Sequence, residues 1–181
     1  LPNTGEFNWT IPSTLLNPDT DYYLVIQFFD SSGNPKSYWL HNTTIRIVND
    51  ITAPTVTSVS STVENGTYGI GDVIPIVVTF NEPVLAPQGQ LDPSNYLILD
   101  LGLPVQKAYY SSGSGTNQLI FNYTVVEGIY TDDLSYENKS DLEGNYSDLA
   151  GNDANLDLPI DGQAGSLLYN KDIEIDGIKP T

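Results

Sequence analysis

The feature that most restricts the fold is a series of short strand-like segments, separated by turn-forming residues at intervals of about ten. The segments are rich in the aromatic and β-branched residues that are typical of β-strands. They cover residues 21–30, 39–48, 73–80, 96–101, 105–110, 118–126 and 167–175. This pattern predicts an all-β fold, and the even spacing of short strands favours a β-sandwich.

Two segments carry further local signals. In "VIPIVVTF", residues 73–80, Pro75 has no backbone N–H to donate. We therefore expect this strand to lie at a sheet edge, or Pro75 to lie near the strand's start. The stretch "SSGSGTN", residues 111–117, has the Gly and Ser residues of tight turns and is predicted to be a hairpin loop.

A short sequence element occurs twice, each time after a predicted strand. "NDITAPT" covers residues 49–55 and "IDGIKPT" covers residues 175–181. The Asp, Pro and Thr of the two copies align, with Asp50 opposite Asp176. The pattern indicates a junction between stacked modules, in which Pro stiffens the linker.

The repeated element divides the chain into modules. Residues 1–49 are predicted to be the C-terminal part of one module, and residues 50–54 a linker. Residues 55–176 are predicted to be a complete second module, and residues 177–181 the linker to a third. Trp9 should belong to the first module and not to the core of the second. The chain contains no Met, so we expect it to be part of a longer protein.

Several stretches resemble known surface-protein families. "APTVTSVSS", "YGIGDVIPIVVTFNEPV", "YYSSGSGTNQLIFNYTV", "DLAGNDA" and "IDGIKPT" occur in this order within residues 53–181. They are similar to the bacterial Ig-like (cadherin-like) repeats of large surface and adhesin proteins. Residues 5–48, with "G-x-x-x-W-T-I-P" and "D-Y-Y", resemble more loosely a Ser/Thr-rich domain associated with wall glucan. Both resemblances imply extracellular β-sandwich modules without catalytic function.

The charge of the chain argues against several classes of partner. There are 23 acidic and 6 basic side chains, which give a net charge of −17 at pH 7. Such a charge repels nucleic acids and anionic membranes. No stretch reaches the roughly 18 apolar residues that a membrane span needs. The absence of Cys excludes disulfides and thiolate metal sites. With the resemblances above, we expect an extracellular or cell-surface location.

Catalytic residues have little support in the sequence. The single histidine, His41, has no neighbour with which to form a nucleophile–base pair. A carboxylate pair for glycoside hydrolysis depends on three-dimensional spacing, but no long loop predicts the cleft that it needs. We expect no enzyme activity, and an accessory part of a secreted hydrolase stays open as an alternative.

N-linked glycosylation is a further kind of site. The chain contains six Asn-x-Ser/Thr sequons. Their asparagines are Asn8, Asn42, Asn65, Asn122, Asn138 and Asn145. Asn8 and Asn122 each alternate with aromatic residues of a predicted strand, which places them on the solvent side. The sequence predicts glycosylation, with polar strand faces rich in Asn and Thr as the alternative.

The acidic stretch "DLAGNDANLDLPID" is one candidate for calcium binding. Asp153, Asn155 and Asp157 have the alternate spacing of an EF-hand loop. The sixth position is Leu158 rather than Gly, and the twelfth is Ala164 rather than Glu, which excludes an EF-hand. Chelation by this loop in another form stays open.

Strand topology predicts a different cation site, at the module junction. If the strands run alternately up and down, the loops with Glu64 and with Asp132 and Asp133 lie at one end. The last strand ends there as well, with Asp176, and Asp50 has the equivalent position at the preceding junction. Carboxylates in this number suit Ca²⁺, and a hydrated acidic rim is the alternative. The predicted cofactor is therefore Ca²⁺ at the module junctions.

Together these features predict a non-catalytic structural segment of an extracellular, N-glycosylated, multi-module surface or filament protein. Its partners would be the neighbouring modules of the same chain, with self-assembly into a fibre. The alternative is an adhesive module that binds a carbohydrate or a partner protein. Tyr109, Tyr110 and Tyr130 in one flat exposed patch would favour that alternative.

Overall fold

The computed structural model describes residues 21–46, 50–86, 93–102 and 104–179. Contacts between residues divide the chain into two units, 1–50 and 51–181. The interpretation of the first unit as the end of one module, and of the second as a complete module, stays a prediction. Trp9 lies outside the described residues.

The first unit contains an antiparallel β-hairpin. Its strands are β1 (Asp21–Phe29) and β2 (Pro35–Arg46), which pair along nearly their whole length. Asp30 closes the turn, because its carboxylate accepts hydrogen bonds from the backbone N–H groups of Ser32 and Asn34, both at 2.9 Å. The short polar residues of the turn therefore account for its geometry.

The second unit is built almost entirely from strands. They are β3 (Val56–Ser61), β4 (Gly66–Gly69), β5 (Val73–Val84), β6 (Tyr96–Leu99), β7 (Gln106–Ser112), β8 (Thr116–Thr124), β9 (Tyr130–Thr131), β10 (Leu142–Glu143) and β11 (Ile173–Asp176). The described residues contain one short helix, α1 (Leu167–Asn170). Within the described ranges, no helix has the length and apolar character to cross a membrane. The prediction of an all-β fold is confirmed.

The strands of the second unit form two sheets. One has six strands in the order β10–β6–β7–β8–β5–β3, and every neighbouring pair is antiparallel. The other has three strands in the order β4–β11–β9, with β4 parallel and β9 antiparallel to β11. The parallel pair departs from the alternating up-and-down strand order that was predicted.

Side chains of the central strands alternate between the core and the outer face. In β8, Leu119, Phe121 and Tyr123 are buried, whereas Ile120 and Asn122 lie on the other side. The first eight residues of β5 show the same alternation. Buried apolar residues from both sheets belong to one core cluster. Burial of this apolar surface is the main contribution to the stability of the unit.

Pro75 is accommodated as the third residue of β5. This strand lies between β8 and β3, so it is not an edge strand, and Pro75 lies near its start. The carbonyl oxygen of Pro75 accepts hydrogen bonds from the Ser61 hydroxyl at 2.6 Å and from the Thr62 N–H at 3.4 Å. Pro75 has no N–H to donate, and its carbonyl oxygen accepts both of these hydrogen bonds at the C-terminal end of β3.

The edge strand β3 is covered on its outer side. The N–H of Val59 donates to the carbonyl of Gly165 at 2.7 Å. The side-chain amide of Asn170 donates to the carbonyl of Val59 at 2.8 Å. Unpaired edges are templates for pairing with another chain, and these two bonds block that pairing at the middle of β3.

The segment 167–175 is predicted to be one strand, but the structure divides it into α1 and β11. Ser166 is the N-cap of α1, and its hydroxyl oxygen accepts a hydrogen bond from the Tyr169 N–H at 3.2 Å. Such a cap stabilises the first turn of a helix. The apolar pair Leu167 and Leu168 is compatible with either structure, and the cap favours the helix.

Candidate functional site

The chain enters and leaves the second unit at opposite ends. β3 begins at Val56, which lies opposite Phe80, eight residues into β5. β11 ends at Asp176, which lies opposite Gly69 of β4 and Tyr130 of β9. The end of β11 therefore lies beside the last residue of β4 and the first residue of β9.

Hydrogen bonds connect the end of β11 to the start of β5. Gly177 donates to the carbonyl of Ile129 at 2.7 Å and accepts from the N–H of Gly128 at 2.9 Å. Val125 donates to the carbonyl of Asp72 at 2.9 Å, directly before β5 begins. At about 3.3 Å per residue, the seven steps from the start of β5 to Phe80 separate the two ends by about 23 Å.

Carboxylates surround Tyr130 on the outer face of the three-stranded sheet. The Tyr130 hydroxyl donates to Asp132 Oδ1 at 2.5 Å. Glu174 and Asp176 alternate with buried residues of β11 and lie on the same side. The hydrogen bond to Asp132 and the charges of the three carboxylates raise the pKa of Tyr130 to about 12. Tyr130, Asp132, Glu174 and Asp176 are called the acidic face.

The structure distributes the predicted calcium ligands over both ends of β11. Asp132 and Asp176 belong to the acidic face. Glu64 precedes β4, and because β4 is parallel to β11, Glu64 lies towards the start of β11. Asp133 is at that end as well, where its carboxylate accepts from the N–H of Ile173 at 2.9 Å. Of these four described carboxylates, no three bring oxygens within 4.8 Å of one another. This arrangement differs from the prediction, in which these carboxylates converge at one point.

Two partly buried carboxylates have raised pKa values. Burial raises the pKa of Asp133, which the N–H of Ile173 partly offsets. Burial also raises the pKa of Asp161, and the charges of Asp100 and Asp133 act in the same direction. One carboxylate oxygen of Asp161 is buried without a hydrogen bond. The ionised form of Asp161 therefore opposes folding.

The acidic stretch 148–161 uses several of its polar groups internally. Asp148 accepts hydrogen bonds from the side chain and the backbone N–H of Asn152, at 2.7 and 2.9 Å. The side-chain bond from Asn152 is the main cause of the lowered pKa of Asp148. Asp157 forms an ion pair with Lys139 at 2.8 Å, and its N–H donates to the Asn155 side chain at 2.9 Å. Two of the three residues with EF-hand spacing therefore already have partners.

A second pair of carboxylates comes from segments that are distant in sequence. Glu82, near the end of β5, and Asp148 have carboxylate oxygens within 4.8 Å of each other. Glu82 was not predicted as a ligand, because no sequence motif marks it. Asp50, the fifth predicted ligand, is the last residue of the first unit. Within the second unit, these two carboxylates supply fewer oxygens than the roughly 6–8 that Ca²⁺ takes.

Among the sequon asparagines, Asn122 has the most defined surroundings. It alternates with the buried Phe121 and Tyr123, so it lies on the outer face of β8. Its side-chain amide donates to the hydroxyl of Ser111 at 3.2 Å. The exposed loops of the second unit contain Asn65, Asn138 and Asn145. Asn42 lies in β2, and Asn8 lies outside the described residues.

The three tyrosines considered for a sugar-binding patch lie apart. Tyr109 is exposed on β7 of the six-stranded sheet, and Tyr130 is exposed on β9 of the three-stranded sheet. Tyr110 packs against the core residue Phe121, with ring centroids 5.9 Å apart, and its hydroxyl accepts from the N–H of Ser114 at 3.0 Å. Adjacent residues of a strand face opposite sides, so Tyr109 and Tyr110 do not share a surface.

The outer face of β6 and β7 carries a cluster that was not predicted from the sequence. Tyr96 and Tyr109 lie opposite each other, with ring centroids 6.3 Å apart in an edge-to-face arrangement. The ammonium nitrogen of Lys107 lies 3.6 Å from the centroid of the Tyr96 ring, a cation–π contact. Strand alternation alone places Lys107 and Tyr109 on one side of the sheet. Tyr96 lies beside them because the register of β6 and β7 pairs it with Tyr109, and the sequence does not show that register.

Comparisons of the chain with family models, with curated proteins and with solved structures found no match. The resemblance to Ig-like repeats therefore rests on the motifs quoted above. The structure adds three features of the second unit, which is all-β. The chain enters and leaves this unit at opposite ends, and the unit carries an acidic face and a separate tyrosine cluster.

Proposed function

We propose that this chain is a non-catalytic structural segment of an extracellular, multi-module surface or filament protein, built from Ig-like β-sandwich modules in tandem. The observation that supports this best is the opposite placement of the two chain ends of the second unit. A module of this kind adds its own length, about 23 Å or more, to a row of modules. A module whose ends lay side by side would fold the row back on itself.

Charge and edge protection also support a spanning role. A net charge of −17 makes neighbouring chains repel one another and keeps them soluble. The cover over β3 hinders sideways pairing between sheets. The partners of the segment are then the adjoining modules of the same chain, and growth into a fibre proceeds end to end.

The test uses the full-length protein in its natural source. Antibodies against this chain should label intact cells or shed filaments, and electron micrographs should show an extended row of modules. An antibody against an abundant intracellular protein serves as the control for intact cells. Labelling only after permeabilisation, or a compact full-length particle, would contradict the proposal.

Glycosylation of several sequons, with Asn122 and Asn8 first, is part of the same proposal. The outward position of Asn122 supports it, since a glycan there meets no core residue. Enzymatic removal of N-glycans should lower the mass of the native protein. A mass equal to that of the unmodified chain would mean that the sequons only reflect polar strand composition.

Calcium at the module junctions is proposed as well, with the acidic face as its support. Three carboxylates near one hydroxyl repel one another, and a cation would remove that repulsion. A ligand that binds only the folded state at a hundredfold excess over Kd stabilises it by about 2.7 kcal/mol. Chelation should therefore lower the melting temperature, and Asp176→Ala should reproduce much of the effect. Glu143→Ala, at an exposed acid elsewhere, is the matched control. A melting temperature that chelator does not change would contradict calcium binding and support the alternative of a hydrated acidic rim.

An adhesive module is the second candidate. The tyrosine cluster on β6 and β7 favours it, because an exposed aromatic side chain such as Tyr109 is typical of binding surfaces. A module that only spans distance does not need such a cluster.

A further inference from the structure

The outer face of β7 and β8 holds a shallow groove of about 320 Å³. The groove forms where these two strands stop pairing: their ladder ends at Tyr109 opposite Asn122. Beyond that point, β7 pairs only with β6, and β8 pairs only with β5. The walls are formed mainly by Val105, Lys107 and Tyr109 on one side, and by Asn122, Thr124 and Val126 on the other. It is called the Tyr109 groove.

The charge of the Tyr109 groove differs from that of the chain as a whole. Among the described residues that line it, none is acidic, although the chain carries a net charge of −17. Lys107 is held over the Tyr96 ring and forms no ion pair with a described carboxylate. Lys139 and Lys179, by contrast, are each paired with an acidic side chain at 2.8 and 2.7 Å. The groove thus offers an ammonium group that no carboxylate of the described residues neutralises.

Apolar and hydrogen-bonding groups stand side by side in this groove. Tyr109 is 49% exposed, and its ring makes an edge-to-face contact with Tyr96. The polar residues Asn122, Thr124 and Lys107 line the same groove. A sugar ring has a C–H face that packs on an aromatic ring and hydroxyls that need donors and acceptors around it.

We propose that the Tyr109 groove binds a neutral oligosaccharide, with one sugar ring on Tyr109 and its hydroxyls hydrogen-bonded by the polar groups of both walls. The proposal develops the adhesive candidate and is independent of the spanning role. It concerns the chain with Asn122 unmodified, because a glycan on Asn122 would fill the groove. A volume of about 320 Å³ is at the lower limit of ligand pockets, which span about 300–1,000 Å³. We therefore expect contact with one or two sugar rings.

The charges and polar groups select this ligand over two others. An anionic polysaccharide would be repelled by the net charge of −17 of the chain. An apolar peptide would cover Lys107 and Asn122 without offering partners, and leaving buried polar groups unpaired is costly. A neutral sugar meets neither obstacle. Its binding should also be insensitive to salt, because screening acts on interactions between charges.

The experiment uses the whole chain, made in a host without N-glycosylation so that Asn122 is unmodified. Amide resonances are followed by NMR during titration with maltotriose, cellotriose, chitotriose and mannotriose, with trigalacturonate as the anionic comparator. At least one neutral trisaccharide should shift resonances of β7 and β8 around Tyr109, with the same Kd at low and high salt.

Variants then test the role of the ring. Tyr109→Ala should weaken binding about tenfold, the upper range for one aromatic contact, and Tyr109→Phe should retain most of the affinity. Tyr169→Ala is the matched control, since Tyr169 lies on α1 and is also exposed, at 64%. Its affinity should stay within about twofold of the unaltered chain, because it lies outside the groove.

Three results would overturn the proposal. They are the absence of shifts with every neutral probe, shifts with trigalacturonate alone, and equal losses in Tyr109→Ala and Tyr169→Ala. If Tyr109→Ala fails to fold, the shift map on the unaltered chain and the Tyr109→Phe affinity decide the matter. Failure here would leave the spanning role untouched, because that role is tested by labelling cells.

Discussion

Gly177 offers a direct test of how the last strand is held. It follows β11 and is buried, with its N–H and its carbonyl both bonded to the segment around Ile129. A methyl group at this position would overlap the carbonyl oxygen of Val126 and lie 2.7 Å from that of Ile129. Both obstacles are backbone atoms, which cannot rotate away. Gly177→Ala must therefore push two segments apart.

The expected loss follows from these contacts. Forcing one extra carbon into a packed site costs about 1–3 kcal/mol. If one of the two backbone bonds of Gly177 breaks as well, a further loss of about 1 kcal/mol follows. We expect Gly177→Ala to lower the free energy of unfolding by about 2–4 kcal/mol. For a chain of this length that corresponds to a drop of about 6–12 °C in melting temperature.

Gly69→Ala is the matched control. Gly69 lies in β4 opposite Asp176, and an added carbon there would lie at an ordinary 3.8 Å from the Asp176 carbonyl oxygen. This variant should be as stable as the unaltered chain or slightly more so. Urea unfolding followed by far-ultraviolet circular dichroism measures both. Both tryptophans, Trp9 and Trp39, precede residue 51, so tryptophan fluorescence should show little change. Equal stability of the two variants would refute the argument from close contact.

Three further outcomes are expected. Asp161→Asn should raise the melting temperature at neutral pH, because the pKa of Asp161 is raised in the folded state. That gain should shrink as the pH falls through the raised pKa and vanish below the ordinary value of 3.8; a gain that persists there would contradict a charge effect. Asp132→Asn should move the pKa of Tyr130 from about 12 towards 10.0, as measured by alkaline spectrophotometric titration, and an unchanged titration would argue against their hydrogen bond. Because the chain has no Cys, spin labels on Ile51→Cys and Ile178→Cys can report the separation of the chain ends. It should be at least about 23 Å, and a clearly shorter distance would remove the main support for spanning.

The strands with strong alternation could be predicted from the sequence. In β5 and β8, β-branched and aromatic residues recur at every second position, and one buried face requires that pattern. The predicted hairpin loop 111–117 is also present, tightened to a turn of 113–115 between β7 and β8. These features depend on residues that are close in sequence.

The three-stranded sheet could not be predicted in the same way. β9 has two residues and β4 has four, too few to show a period. The parallel pairing of β4 with β11 joins segments near the two ends of the unit, and no local pattern encodes it. The placement of Glu64 and Asp176 at opposite ends of β11 follows from that pairing. The same limit hid Tyr96 and Glu82, whose neighbours come from distant strands.

The opposite placement of the chain ends has a mechanical consequence. Tension applied through both ends pulls β3 along its own axis past β5, and pulls β11 past β4 and β9. The hydrogen bonds of each ladder then carry the load in shear, all at once, whereas a hairpin pulled from one side opens one pair at a time. When a ladder does fail, the roughly 120 residues between the two ends extend to about 400 Å. A row of such units would stay short under small forces and release stored length, one unit at a time, under large ones.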